Sequence, residues 1–265
     1  MGLERLAHPG RLGPFPAQPD RALTSPALLI LQVGTPPEDI RAEFGDLPHW
    51  FRTALGLAPE ALRVVRVFDG EPLPAPDASC VAIITGSWAM VSERLPWSEA
   101  TAQWIREAMA IDMPLFGVCY GHQLMAHALG GRVDYHPAGR ELGCETVHLL
   151  PAAEDDPLLG QWPARFVAHL THEQTVLELP PGAVVLARSD HDPHQVVRYG
   201  RNALSTQFHP EFTPELLAAC IRRRADTLRR EQRDPQGLLD GLRETPEATR
   251  LLRSFVDDAL RLGAG

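Results

Sequence analysis

The chain has 265 residues, and its 25 basic residues are all Arg against 34 Asp plus Glu, for a formal net charge of −9. The absence of Lys excludes a Walker-type phosphate loop, a pyridoxal Schiff base and a Ser–Lys dyad, and the acidic balance speaks against a nucleic-acid partner. Apolar content of 44% is that of a soluble globular protein, and no stretch approaches the roughly 18 apolar residues that span a membrane.

Residues 1–24 are broken up by Pro9, Gly10, Gly13, Pro14, Pro16 and Pro19. They lack the apolar run of a secretory signal and read as a disordered leader. The four cysteines (Cys80, Cys119, Cys144, Cys220) form no CxxC pair, so reduced thiols and a cytoplasmic location are expected. Ala27–Val33, Leu62–Phe68, Cys80–Thr85 and Pro114–Val118 are short apolar runs of the kind buried on both faces of a parallel sheet. Helical patterns lie between them at Ile40–Leu55 and Trp97–Met109, and a third follows from Gly121 to Leu129, stopping at Gly130-Gly131. Shorter strands, some antiparallel, are expected at 131–135, 145–150, 165–170, 183–188, 195–199 and 203–208. From Thr213 the chain reads as helical, with a polar break at Arg233–Gln236. The run Arg222–Arg224 reads as a solvated helix face, because ten Arg meet nine Asp and Glu over this segment. Alternating strands and helices predict an α/β fold: a doubly wound, mostly parallel sheet with helices on both faces and a small antiparallel extension. The expected domain is 25–235, followed by a C-terminal helical extension over 236–265.

Chemistry concentrates at Gly117-Val-Cys-Tyr-Gly121, where a strand runs through a tight turn into a helix. This is the context of a nucleophile elbow, with small residues two before and two after Cys119. The helix N-terminus favours the thiolate, the reactive form of Cys119. His209, in Gln207-Phe-His-Pro-Glu211, is the candidate base. Glu211 shares its face in extended chain and is suited to orient the imidazole.

The run GVCYGHQLMAHALGG, followed about ninety residues later by QFHPEF, resembles the class I glutamine amidotransferase family. The similarity extends over roughly Ala27 to Ala225. It implies a flavodoxin-like fold and a Cys–His–Glu triad of Cys119, His209 and Glu211 acting on the γ-amide of glutamine or a γ-glutamyl compound. It further implies that the Gly86 and Tyr120 amides form the oxyanion hole. Gln123 would line the glutamine pocket, and Glu141 would pair with the substrate ammonium. The segment Thr171–Val176, with Thr171, His172 and Glu173, would grip the same end of the substrate. His172 also reads as structural, since one base suffices. Gly86-Ser87-Trp88 stands where many synthetase-coupled members carry Gly-Gly-Pro. It resembles stand-alone members, including the plant-type γ-glutamyl peptidases. No fused synthetase is expected, which leaves a separate ammonia-accepting synthetase as a partner to consider.

No metal, flavin or nucleotide is called for. His191-Asp-Pro-His194 has ligand residue types but reads as a surface loop. Two other readings stay open. A dienelactone-hydrolase-like protein would use Asp190 or Asp192 as the acid, and a non-catalytic binding protein would retain the fold alone.

Overall fold

The computed structural model describes residues 28–262. The expected leader and the first residue of the Ala27–Val33 strand lie outside the described residues. A nine-stranded sheet runs in the order β2-β1-β3-β4-β11-β10-β9-β6-β7. Its first five members are β2 (Leu62–Arg66), β1 (Leu28–Gln32), β3 (Val81–Ile84), β4 (Leu115–Val118) and β11 (Ala203–Thr206), and they are mutually parallel. Beyond β11 the pairing turns antiparallel through β10 (Val196–Gly200), β9 (Val184–Arg188), β6 (Glu141–Leu149) and β7 (Arg165–His172). The antiparallel extension supplies four of the nine strands. A separate antiparallel pair joins β5 (Arg132–Tyr135) to β8 (Gln174–Glu178), a strand the sequence pattern did not announce.

The parallel strands read as unbroken apolar runs because both of their faces are covered. Leu29, Leu31, Ala82, Ile84 and Leu115 pack on one side with α3 (Pro96–Ala110) and α4 (Tyr120–Ala128). Leu28, Ile30, Ile83, Phe116 and Val118 point to the other side. There they meet Phe51 of α2 (Leu47–Leu55) and the apolar stripe of α8 (Pro246–Leu262): Ala248, Leu251, Leu252, Phe255, Val256 and Ala259. Truncating Leu252 to Ala would cost about 2–5 kcal/mol, as for other buried leucines. The segment 236–265 is therefore not an appendage over its described part; α8 fills one side of the core.

The helical run expected over Ile40–Leu55 is two helices, α1 (Glu38–Phe44) and α2, interrupted at Gly45–Asp46, where Asp46 accepts from the Leu47 amide. After Thr213 the chain breaks more often than its polar signal suggested. It forms α5 (Pro214–Arg223), α6 (Ala225–Arg230), α7 (Pro235–Asp240) and α8. A third cluster joins α1, α2, α5, α6 and Leu142 of β6 at the carboxyl end of the parallel strands. No described helix is long and apolar enough to cross a membrane.

Candidate active site

Cys119 sits between β4 and α4 with φ +51° and ψ −99°, a conformation that L-residues rarely adopt. The elbow is held by its amide, which donates to Thr206 O of β11 at 2.9 Å, and by the Gly121 amide, which donates to Thr85 O at 3.1 Å. The flanking glycines are required by close approach. A Cβ on Gly117 would lie 2.7 Å from the Gly121 carbonyl, and one on Gly121 would lie 2.3 Å from Ile84 O. Strand and helix can meet at this angle only when both side chains are absent.

The segment after β11 returns His209 to the same place. Its amide donates to His169 O at 2.9 Å, and Thr249 of α8 donates to Pro210 O at 2.9 Å, so the loop is tied to two elements. His209 Nδ1 bonds Glu211 Oε1 at 2.8 Å, and its ring stacks on Phe212 at 4.0 Å between centroids. Its Nε2 is buried and has no hydrogen-bond partner among the described residues. Gly86 lies directly opposite: a Cβ there would stand 3.2 Å from His209 Cε1 and 3.8 Å from Cys119 Cβ. Tyr120 opens α4, so its amide has no acceptor within the helix. Cys119, His209, Glu211, Gly86 and Tyr120 are thus brought together.

The electrostatics of this group are coupled. Burial, the largest single influence, pushes the Cys119 thiol up, but the nearby His209 and His172 together outweigh it, and the net shift is downward. Burial alone would lower the His209 pKa; Glu211 and Cys119 reverse that and hold it well above the ordinary imidazole range. Both shifts act in the direction of thiolate and imidazolium.

The cleft beside Cys119 is lined by Tyr120, Gln123, Thr171, His172, Glu173 and Arg140, among others. Gln123 uses its amide nitrogen on Gln174 O at 2.6 Å and Gln207 Oε1 at 2.9 Å, leaving its carbonyl oxygen as the other polar end. Thr171 O lies 3.9 Å from the Cys119 sulfur. Glu173 pairs with Arg140 at 2.7 Å, and Arg140 also meets Glu231 at 3.1 Å.

Glu141 departs from expectation. It does not line this cleft, and both of its oxygens are engaged: Oε1 accepts from Ser189 at 2.6 Å, and Oε2 accepts from Gln195 at 2.8 Å and meets His172 Nε2 at 2.9 Å. A carboxylate so saturated and only 5% exposed is not free to receive a substrate ammonium. His172 Nδ1 meets a second acceptor, Gln174 O, at 2.9 Å. With acceptors at both ring nitrogens, and with Glu141 and Asp192 overcoming the penalty of burial, its pKa is raised and the imidazolium is favoured.

His191-Asp-Pro-His194 is not wholly a surface loop either. Asp192 is fully buried, bonded to Thr175 Oγ1 and to the His194 amide. Glu141, His172 and Asp192 offer atoms within 4.8 Å of one another. Each of those atoms already has a hydrogen-bond partner, so the cluster is a closed polar network rather than a set of open ligands. The imidazole of His209 takes Glu211 as its partner, not Asp190 or Asp192.

Arg224 corrects another expectation. Arg222 and Arg223 are exposed, but Arg224 turns inward and lines the cleft beside Cys119. The signal was present: Leu217, Ile221 and Arg224 share one stripe of α5 and its cap, and the first two are fully buried. A run of three arginines masked it.

Residues 82–224 match the family model of the class-I glutamine amidotransferases, just over half of the chain. The chain belongs to this family. It is 37% identical over 142 residues to the glutamine-hydrolysing GMP synthase of Thermomicrobium roseum, covering 53% of this chain and 25% of that protein. It is 27% identical over 188 residues to gamma-glutamyl peptidase 5 of Arabidopsis thaliana, covering 69% and 75%. The chain thus spans about a quarter of that GMP synthase. Among solved structures, a glutamine amidotransferase from Thermotoga maritima superposes with a TM-score of 0.69 at 23% identity, covering 88% of this chain and 98% of that one. At that identity the likeness is one of fold, and the fold is the family's α/β architecture. The family match ends at Arg224, so the core-filling α8 lies beyond it.

Proposed function

We propose that this chain hydrolyses the γ-amide of glutamine or of a γ-glutamyl compound through Cys119, His209 and Glu211. The observation that carries this reading is the strained elbow at Cys119 beside a buried imidazole whose far nitrogen Glu211 has already engaged. The Cys119 thiolate attacks the γ-carbonyl carbon, and a C–S bond forms while the oxygen takes the electron pair. The Gly86 and Tyr120 amides receive that oxyanion. The intermediate collapses, the C–N bond breaks, and the His209 imidazolium gives its proton to the departing nitrogen. A water molecule, deprotonated by the now neutral His209, cleaves the thioester and releases glutamate with the thiolate restored. Glu211 keeps the Nδ1 proton in place throughout. Water is the final acceptor; with glutamine as substrate, the released ammonia is available to a separate synthetase.

This reading is supported by the position of Gly86, Cys119 and His209 just beyond the carboxyl ends of β3, β4 and β11, the end at which ligands bind in open α/β sheets. The test is ammonia or amine release from glutamine and a panel of γ-glutamyl peptides, with mass-spectrometric labelling by a glutamine-mimicking electrophile. Turnover with a single adduct on Cys119 is expected. No release from any substrate, together with an unlabelled Cys119, would overturn the assignment.

A further inference from the structure

Next to the cleft at Cys119 lies a second slot, which shares Cys119, Thr171, Trp88 and Arg224 with it and is lined by His209. Its walls are Leu47, Trp50, Trp88, Phe212, His209 and Arg224. Trp50 packs edge-on against Phe212 at 5.6 Å and against Trp88 at 6.5 Å, so the aromatic wall is a braced unit. Two donors at this wall have no partner among the described residues: Trp88 Nε1 and Arg224 Nη1, both shielded from solvent. Both residues line the cleft and the slot alike. A shielded guanidinium nitrogen without an acceptor is costly, and its planar fork matches a carboxylate. Two unmet donors beside an aromatic wall therefore describe a receptor for an anion attached to an apolar group.

The chemistry says which part of a substrate enters this slot. His209 protonates the leaving nitrogen, so the leaving amine lies on the His209 side. The glutamyl half lies towards Gln123 and Glu173, which line the cleft but not the slot. Ammonia would leave the slot unfilled. We infer that the slot receives the amine half of a γ-glutamyl amino acid, its apolar or aromatic side chain against Trp50, Trp88 and Phe212 and its α-carboxylate on Arg224 and Trp88 Nε1. This rests on the hydrolytic reading above and narrows its substrate to γ-glutamyl derivatives of apolar amino acids. The bonds made and broken are those already described; the amine departs as the free amino acid.

The experiment compares kcat/KM of the full chain for γ-glutamyl-L-phenylalanine, γ-glutamyl-phenethylamide, which lacks only the carboxylate, and glutamine. The carboxylate should raise kcat/KM by about ten- to a hundredfold, the worth of a charge-assisted hydrogen bond. Glutamine should be the poorest of the three. In Arg224→Gln the ratio between the first two substrates should fall to within about threefold. A ratio near one in the unmodified chain, or a ratio untouched by Arg224→Gln, overturns the inference while leaving the hydrolytic reading intact. Absence of turnover on all three, with Cys119 inert, overturns both. Because the substrate pair is read on the unmodified chain, the result stands even if the variant does not fold. Inhibition by L-phenylalanine against inhibition by phenethylamine gives a second measure of the same contact.

Discussion

His209 and His172 both lie buried beside Cys119, and each bonds a glutamate, at 2.8 Å to Glu211 and 2.9 Å to Glu141. Each has its pKa raised, and each adds positive potential at the thiol. They differ at the nitrogen remote from the carboxylate. In His209 it has no partner among the described residues, whereas in His172 it is bonded to the Gln174 carbonyl. A base must have one nitrogen free to take and return a proton. A His–Glu pair is therefore not in itself an acid–base device; in His172 saturation leaves neither ring nitrogen free to exchange a proton.

That contrast can be broken by experiment. The largest effect should come from Cys119→Ala, which removes turnover to the background of the assay while leaving the far-ultraviolet circular dichroism unchanged; appreciable residual turnover would reject the nucleophile. His209→Gln should lower kcat by about 10²–10⁴-fold, the range of a general acid–base. Glu211→Gln leaves the imidazole in place and should cost about ten- to a hundredfold, the worth of one charged hydrogen bond. Glu141→Gln should act mainly on stability, by about 1–3 kcal/mol in denaturant unfolding, because it disturbs the bonds of His172, Ser189 and Gln195. A kcat loss from Glu141→Gln equal to that from Glu211→Gln would abolish the distinction between the two pairs.

The thiols supply the finest test. The Cys119 pKa is lowered, whereas burial raises those of Cys80 and Cys144. Thiolate, the alkylating form, is lost as pH falls through each group's pKa. At neutral pH iodoacetamide should therefore modify Cys119 first, with the other two following only as pH rises into the alkaline range. Peptide mapping after timed alkylation reads the order directly, and simultaneous labelling of all three at pH 7 would contradict it.

The elbow was legible in the sequence because it is local: strand, small residue, cysteine, small residue and helix occupy about a dozen consecutive positions, and Gly117 and Gly121 are demanded by contacts with each other and with Ile84. The Phe208–Glu211 segment was legible for a similar reason, since Pro210 fixes the chain between His209 and its partner. Glu141 and Arg224 were misread because their fates are decided by residues far along the chain. Ser189 and Gln195 claim one, 48 and 54 residues away. The packed stripe of α5 turns the other inward. A free carboxylate and a saturated one look alike in sequence, as do a solvated arginine and one facing a cleft. Strand β8 was missed because it pairs with β5 outside the main sheet and carries Gln174, Thr175 and Glu178 among its five residues.

The docking of α8 onto the strand faces that include Leu28 and Ile30 bears on how the molecule is made. Roughly 220 residues separate those strand positions from Pro246. At about 5–20 residues per second, translation takes on the order of 10–45 s to cover that distance. Throughout that interval one apolar face of the first strands has α2 but not α8 to cover it. The loop that carries His209 likewise gains its tie to Thr249 only after α8 has been made.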